Sequence, residues 1–169
     1  MPFTSVLSNL SPLAIKGMAY DNTWVDGDSF VNGEVSAEIP FGVFVKQGTD
    51  VKEILKLTAI TEKVVGVTLY KDVYQKDVQL GTTGVKIDNV MCVAPRGRLW
   101  MWAEEAVIPT DPVMIRAIAA GSEVAGDVRT SADASDLIDA RHFARFITST
   151  TAAGLVVVEF DLAARTKAA

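Results

Sequence analysis

GLVVVEFDLA, residues 154–163, decides the fold class: Val156, Val158, Phe160 and Leu162 point one way, while Glu159 and Asp161 point the other. Successive side chains of a strand leave opposite faces, so this spacing predicts a strand with one dry face and one wet face. The same period of two recurs upstream. FGVFVK puts Phe41, Val43 and Val45 on one side, EILKLTA puts Leu55, Leu57 and Ala59 together, and KVVGVTLY does so with Val65, Val67 and Leu69. Further strands are predicted near 90–94, 98–104, 112–118 and 142–148.

Turn residues separate these runs: Gly48-Thr49-Asp50, Gly81 to Gly84, Pro95-Arg96-Gly97, Pro109 to Pro112 and Thr150 to Gly154. About eight short strands joined by such turns read as an all-β chain, a single compact jelly-roll-like sandwich or barrel. One helix is expected, over 131–140 (SADASDLIDA), with Ser131 as its cap. Within EVSAEIPFGVFVKQGTD, residues 34–50, Pro40 suits a strand start because it has no amide to donate. Gly42 leaves room for the close approach of another backbone, and Gly48 turns the chain. The first twenty residues follow no clean period. Phe3, Val6, Leu7, Leu10, Leu13 and Ile15 are apolar, but Ser, Pro and Asn interrupt them. The division is therefore an extended N-terminal arm over 1–20 and a β domain over 21–169. The arm packs on its own domain or reaches a neighbouring subunit, as an added strand or a groove filler.

With 169 residues, nearly half of them hydrophobic, the chain can bury a core without disulfide or metal. Its net charge is −5 and its pI about 4.9. That balance provides no basic surface for nucleic acid or for an anionic membrane. No run approaches the roughly 18 apolar residues of a membrane span. The N-terminus lacks the basic start and continuous apolar stretch of a signal peptide, so the expected place of the chain is the cytosol or a particle assembled there.

Catalytic patterns are missing. There is no Walker-type phosphate loop and no G-x-S-x-G elbow, and a single histidine excludes multi-His metal sites. Cys92 reads as a small buried hydrophobe on a strand. His142, beside Arg141 and Phe143, reads as a surface or partly packed side chain, with a pH-sensitive interface contact as the alternative. Asp133, Asp136 and Asp139 read as a solvated acidic turn, since calcium loops space their oxygens differently. Glu104 and Glu105 are neighbours on a strand and point apart, which disfavours paired acid–base work. The chain is therefore expected to be no enzyme and to hold no cofactor or metal. In GRLWMWAEEA, Leu99, Met101 and Ala103 alternate with Arg98, Trp100 and Trp102. Either set can be the core. If the first set is, two tryptophans and an arginine share the outer face, the residue types enriched at interface hot spots; a sugar-stacking platform is a third reading.

The order GMAYD, EVSAEIPFGVFVKQGTD, VVGVTLY, APRGRLWMWAEE, PTDPVMIRA and ARFITST followed by GLVVVEFDL resembles the cement, or decoration, proteins of tailed-bacteriophage capsids, from about Gly17 to Leu162. The resemblance implies a structural virion protein, made in the host cytoplasm, that binds the outer surface of the expanded capsid. There it would clamp adjacent capsomers of the major capsid protein lattice against internal DNA pressure. It also implies self-association, with a homodimer favoured over a homotrimer. Partner-binding residues are then expected in the arm (Phe3, Val6, Leu7, Leu10) and on the Trp-bearing strand (Arg98, Trp100, Trp102). The alternative is another β-sandwich virion module, glycan-binding or tail-associated.

Overall fold

The computed structural model describes residues 14–20, 25–71, 79–81, 83–132 and 136–162, and among these there are ten strands and no helix. They are β1 (Asp26–Asn32), β2 (Phe44–Gln47), β3 (Glu53–Lys56), β4 (Val64–Leu69), β5 (Val90–Ala103), β6 (Met114–Arg116), β7 (Val128–Arg129), β8 (Leu137–Asp139), β9 (Ala144–Phe146) and β10 (Gly154–Asp161).

A closed barrel forms the first half. The strands pair in the order β1-β3-β2-β4-β5, and β5 returns to β1. The β1–β3 pair is parallel and the others are antiparallel. Of the architectures expected, it is the barrel that the chain adopts. Strand β5 is longer than the barrel wall. Its first half, Val90 to Arg96, pairs with β1, and its second half, Arg96 to Ala103, pairs along the full length of β10. Beyond that, β9 adds to β10, and β7, β6 and β8 continue from the end of β5. The runs expected at 90–94 and 98–104 are thus one continuous strand.

Two apolar cores follow from this plan. Val43, Val45, Ile54, Met91 and Val93, with Phe30 and Val65 against them, come from every wall of the barrel and fill its interior. Their sequence neighbours Phe44, Cys92 and Ala94 point outward, into a larger core shared with Leu99, Met101, Ile115, Phe146, Val156, Val158 and Phe160. Phe44 meets the rings of Phe143 and Phe160 edge-on, with centroids 6.2 and 5.6 Å away. Both faces are therefore dry at residues 43–45 and at 91–94, which is why FGVFV and VMCVA are nearly unbroken apolar runs. Polar groups buried here have partners. Thr68 Oγ1 accepts from Val43 N (3.1 Å) and donates to the Pro40 carbonyl (2.8 Å), and Asn32 Nδ2 donates to the Val85 carbonyl (2.8 Å).

Some expectations change. Of the helix expected over 131–140, residues 133–135 lie outside the described residues, and the part that follows is β8, whose Ile138 is buried: Asp-rich sequence gives a helix little support without an apolar stripe. The inward residue of β3 is Ile54, not Leu55; the strand ends at Lys56, and Leu57 packs into the outer core after the turn away. In β4 the pairing steps from Gly66 to Val64, so Val65 is a bulge; it faces the barrel interior while Val67 and Leu69 face the outer core. Pro40 stands ahead of β2 rather than at its first residue, in the chain that leads into the strand.

The expected role of Gly42 is met. It has φ 63°, and a β-carbon there would lie 2.5 Å from the amide nitrogen of Gly17, which itself has φ 84°. The two glycines let residues 14–20 lie directly on the barrel. That segment is zipped to the domain: Gly17 N donates to the Trp100 carbonyl (2.6 Å), Trp100 N to the Met18 carbonyl (2.9 Å), Tyr20 N to the Arg98 carbonyl (2.9 Å) and Tyr70 N to the Gly17 carbonyl (2.8 Å).

Candidate partner-binding face

Leu99, Met101 and Ala103 are wholly buried, so the opposite face of β5 carries Arg98, Trp100 and Trp102. This resolves the two readings of GRLWMW in favour of outward tryptophans. Trp102 is 39% exposed. Trp100 is half-covered by Tyr20, whose ring stands edge-on at 5.6 Å. Arg98 is fixed by Glu159 at 2.6 Å, and Glu159 also accepts from Arg145 at 2.9 Å. Ile15, Met18 and Tyr20 leave substantial apolar surface beside them. The fold thus gathers three of the seven expected partner-binding residues with the root of the N-terminal segment. The other four, Phe3, Val6, Leu7 and Leu10, lie outside the described residues.

A second cluster adjoins this face and has no local signature in the sequence. Lys16 Nζ lies 2.5 Å from Asp127 Oδ1. Arg116 grips Glu104 through two bonds, of 2.5 and 2.7 Å, and reaches Glu123 at 2.6 Å. Arg129 lies 3.4 Å from both Glu104 and Glu105 and donates to Ser131 Oγ at 2.6 Å. Backbone pairing explains how residues so far apart in sequence meet. Arg116 ends β6 and Asp127 directly precedes its neighbour β7, so Arg116 N donates to the Asp127 carbonyl (2.9 Å), and Glu104 follows the end of β5, its amide donating to the Val128 carbonyl (3.0 Å).

Burial raises the Asp127 carboxyl to about 6 even though Lys16 favours its ionised form. At Glu105 burial also opposes ionisation, but hydrogen bonds from Ser131 and Thr130 outweigh it and hold the carboxyl below its usual range. A cavity of about 460 Å³ opens over this cluster, lined by Lys16, Trp102, Glu104, Glu123 and Asp127 among others.

The remaining candidates behave as surface or core. Glu104 and Glu105 lie just past the end of β5 and share Arg129; Arg116 holds Glu104 as well, and the Ser131 and Thr130 amides hold Glu105. His142 is exposed and meets Phe143 edge-on, with ring centroids 4.9 Å apart. Cys92 is buried on β5. Asp139 pairs with Arg141, while Asp133 lies outside the described residues. Among the described residues no group of three or more His, Cys, Asp or Glu could hold a metal ion, and no helix is long and apolar enough to cross a membrane.

Residues 3–161 match the family model described as structural cement protein (E217 gp24/Pam3 gp6) of phages. The chain belongs to that family. It is accordingly a structural cement protein of a phage capsid and not an enzyme. A solved structure described as the capsid of Myoviridae Phage XM1 includes a chain similar in fold, with a TM-score of 0.64 and 21% identity over 87% of this chain and 89% of that one. No curated protein matches. The cement protein's resemblance to its family, first visible in the order of its strands and turns, therefore extends through nearly its whole length.

Proposed function

We propose that this cement protein binds the outer surface of the expanded capsid and clamps adjacent capsomers of the major capsid protein against the outward pressure of packaged DNA. The observation that carries the reading is the face of β5. Trp102 is exposed there, next to a partly covered Trp100 and a fixed arginine, and the N-terminal segment joins the domain directly beside them. A clamp needs two attachment regions held at a set distance. The Trp-bearing strand provides one. The chain before Ala14, with Phe3, Val6, Leu7 and Leu10, provides the other. Because the two are linked, the second contact forms at high effective concentration, and modest affinity at each suffices to oppose separation. The protein acts as a homooligomer, a dimer in preference to a trimer, so that each unit presents two such pairs of contacts. Its net charge of −5 keeps decorated particles apart.

The test is co-sedimentation of the purified protein with expanded capsids that lack it, with unexpanded procapsids as control. Saturable binding to expanded shells alone is expected. Removing residues 1–13 should leave the melting temperature unchanged, because Lys16 and the hydrogen bonds of residues 17–20 remain, yet weaken capsid binding strongly. A truncated protein that binds as tightly as the full chain refutes the arm's role. Binding to neither kind of shell refutes the clamp.

A further inference from the structure

The ion cluster beside Trp102 is out of balance. It holds four carboxylates, Glu104, Glu105, Glu123 and Asp127, and three cations, Lys16, Arg116 and Arg129, so among the described residues it is one positive charge short. The deficit is local. Glu104 is satisfied by two guanidinium groups, and Glu105 by Arg129 together with the Ser131 and Thr130 amides. Among the described residues Glu123 and Asp127 have one close ion pair each, with Arg116 acting on Asp127 only from farther away, and both line the cavity of about 460 Å³. The Asp127 side chain is only 3% exposed; Lys16 lies 2.5 Å from its Oδ1, yet among the described residues that oxygen accepts no hydrogen bond of good geometry.

A carboxylate desolvated to this degree gains most from a second cation. The cavity's lining suits one, since it includes Trp102, and an indole is the side chain best able to attract a guanidinium or ammonium group. We infer that this cavity is a receptor for a basic side chain, arginine or lysine, projecting from the major capsid protein. That side chain would pass Trp102 and seat its charge between Glu123 and Asp127. The inference rests on the clamp reading and assigns that clamp a specific anchor.

Two variants separate it from the clamp itself. Glu123→Gln removes an outer carboxylate, 40% exposed, and leaves Arg116 held by Glu104. Asp127→Asn is nearly isosteric, removes the charge and turns one acceptor oxygen into an amide donor. Wild type and both variants are titrated onto expanded capsids at about pH 7.5, where Asp127 is ionised, at low and at physiological salt. Both variants are expected to melt as wild type does or higher, to bind at least about tenfold more weakly at low salt, and to lose part of the salt dependence of binding. In parallel, N-acetylarginine amide should shift the Trp102 indole resonance of wild type and not that of the variants. Wild-type affinity and salt dependence in both variants overturn the receptor and leave the clamp standing. Failure of wild type to bind the capsid overturns both.

Discussion

The two halves of β5 live in different surroundings, and the contrast accounts for what each does. From Met91 to Ala94 every side chain is buried, alternating between the barrel interior and the outer core. From Arg98 to Ala103 only every second side chain is buried, and the others meet solvent, Glu159 or Tyr20. One strand thus seals the barrel with its first half and displays aromatic surface with its second. Sealing leaves no freedom to choose residues for recognition. Display is possible only because the sealed half, and the pairing with β10, already fix where the displayed half lies.

The contrast breaks first at Phe44, the barrel's outward contact with the second core. Phe44→Ala should cost about 3–5 kcal/mol, read from urea unfolding. A loss below about 1 kcal/mol would mean that the two cores are not mutually supporting.

Next comes the charged cluster at the far end of β5. Asp127 has a folded-state value of about 6 against 3.8 for the free side chain, so the folded protein binds this proton more readily than the unfolded one. Its contribution to stability therefore grows as pH falls from about 7 toward 4.5, by about 2 kcal/mol. Glu62 works in the opposite sense. Burial opposes its charge, but bonds from Lys46 and Thr58 hold it at about 2, and the stability it supplies is lost only as pH falls from about 4.5. Melting temperatures of wild type should rise between pH 7 and 5, and those of Asp127→Asn should stay flat. A wild-type profile equally flat would show that Asp127 is better solvated than its packing indicates.

On the display half the effects on stability are small. Tyr20→Ala should cost about 1 kcal/mol, mostly the edge-on contact with Trp100. Trp102→Ala should change unfolding by less than about 1 kcal/mol while lowering capsid affinity roughly thirtyfold or more, as the loss of a hot-spot aromatic does. If Trp102→Ala unfolds the protein and spares binding, the assignment of the two faces is inverted.

Period-two patterns were legible wherever a strand has one wet face: residues 158–162 stand as the sequence predicts, while at 99–103 the alternation was legible but which set faces the core was not. Gly42 was legible too, since an isolated glycine beside a strand points to a close backbone approach. Where both faces are dry, the pattern leaves the facing open, and in β4 the bulge at Val65 shifted it. β1, with sequence DGDSFVN, was not recognised as a strand because four of its seven residues are exposed. It earns its place by closing the barrel, a long-range event without a local signal. The ion cluster was hidden for a related reason. Lys16, Glu104, Arg116 and Asp127 are scattered over more than a hundred positions, and only the fold makes them neighbours.

The closure of β1 onto β5 also governs how the molecule can grow into larger assemblies. An open sheet exposes a row of unused amides and carbonyls, onto which any extended chain can add without regard to sequence. Among the described strands, the ones with a single pairing partner at the margin of the sheet are β8 and β9, each only three residues long and flanked by charged side chains such as Asp139, Arg141 and Arg145. Indiscriminate fibre formation through backbone pairing is thereby suppressed. Assembly is left to side chains, which can tell the right surface from the wrong one.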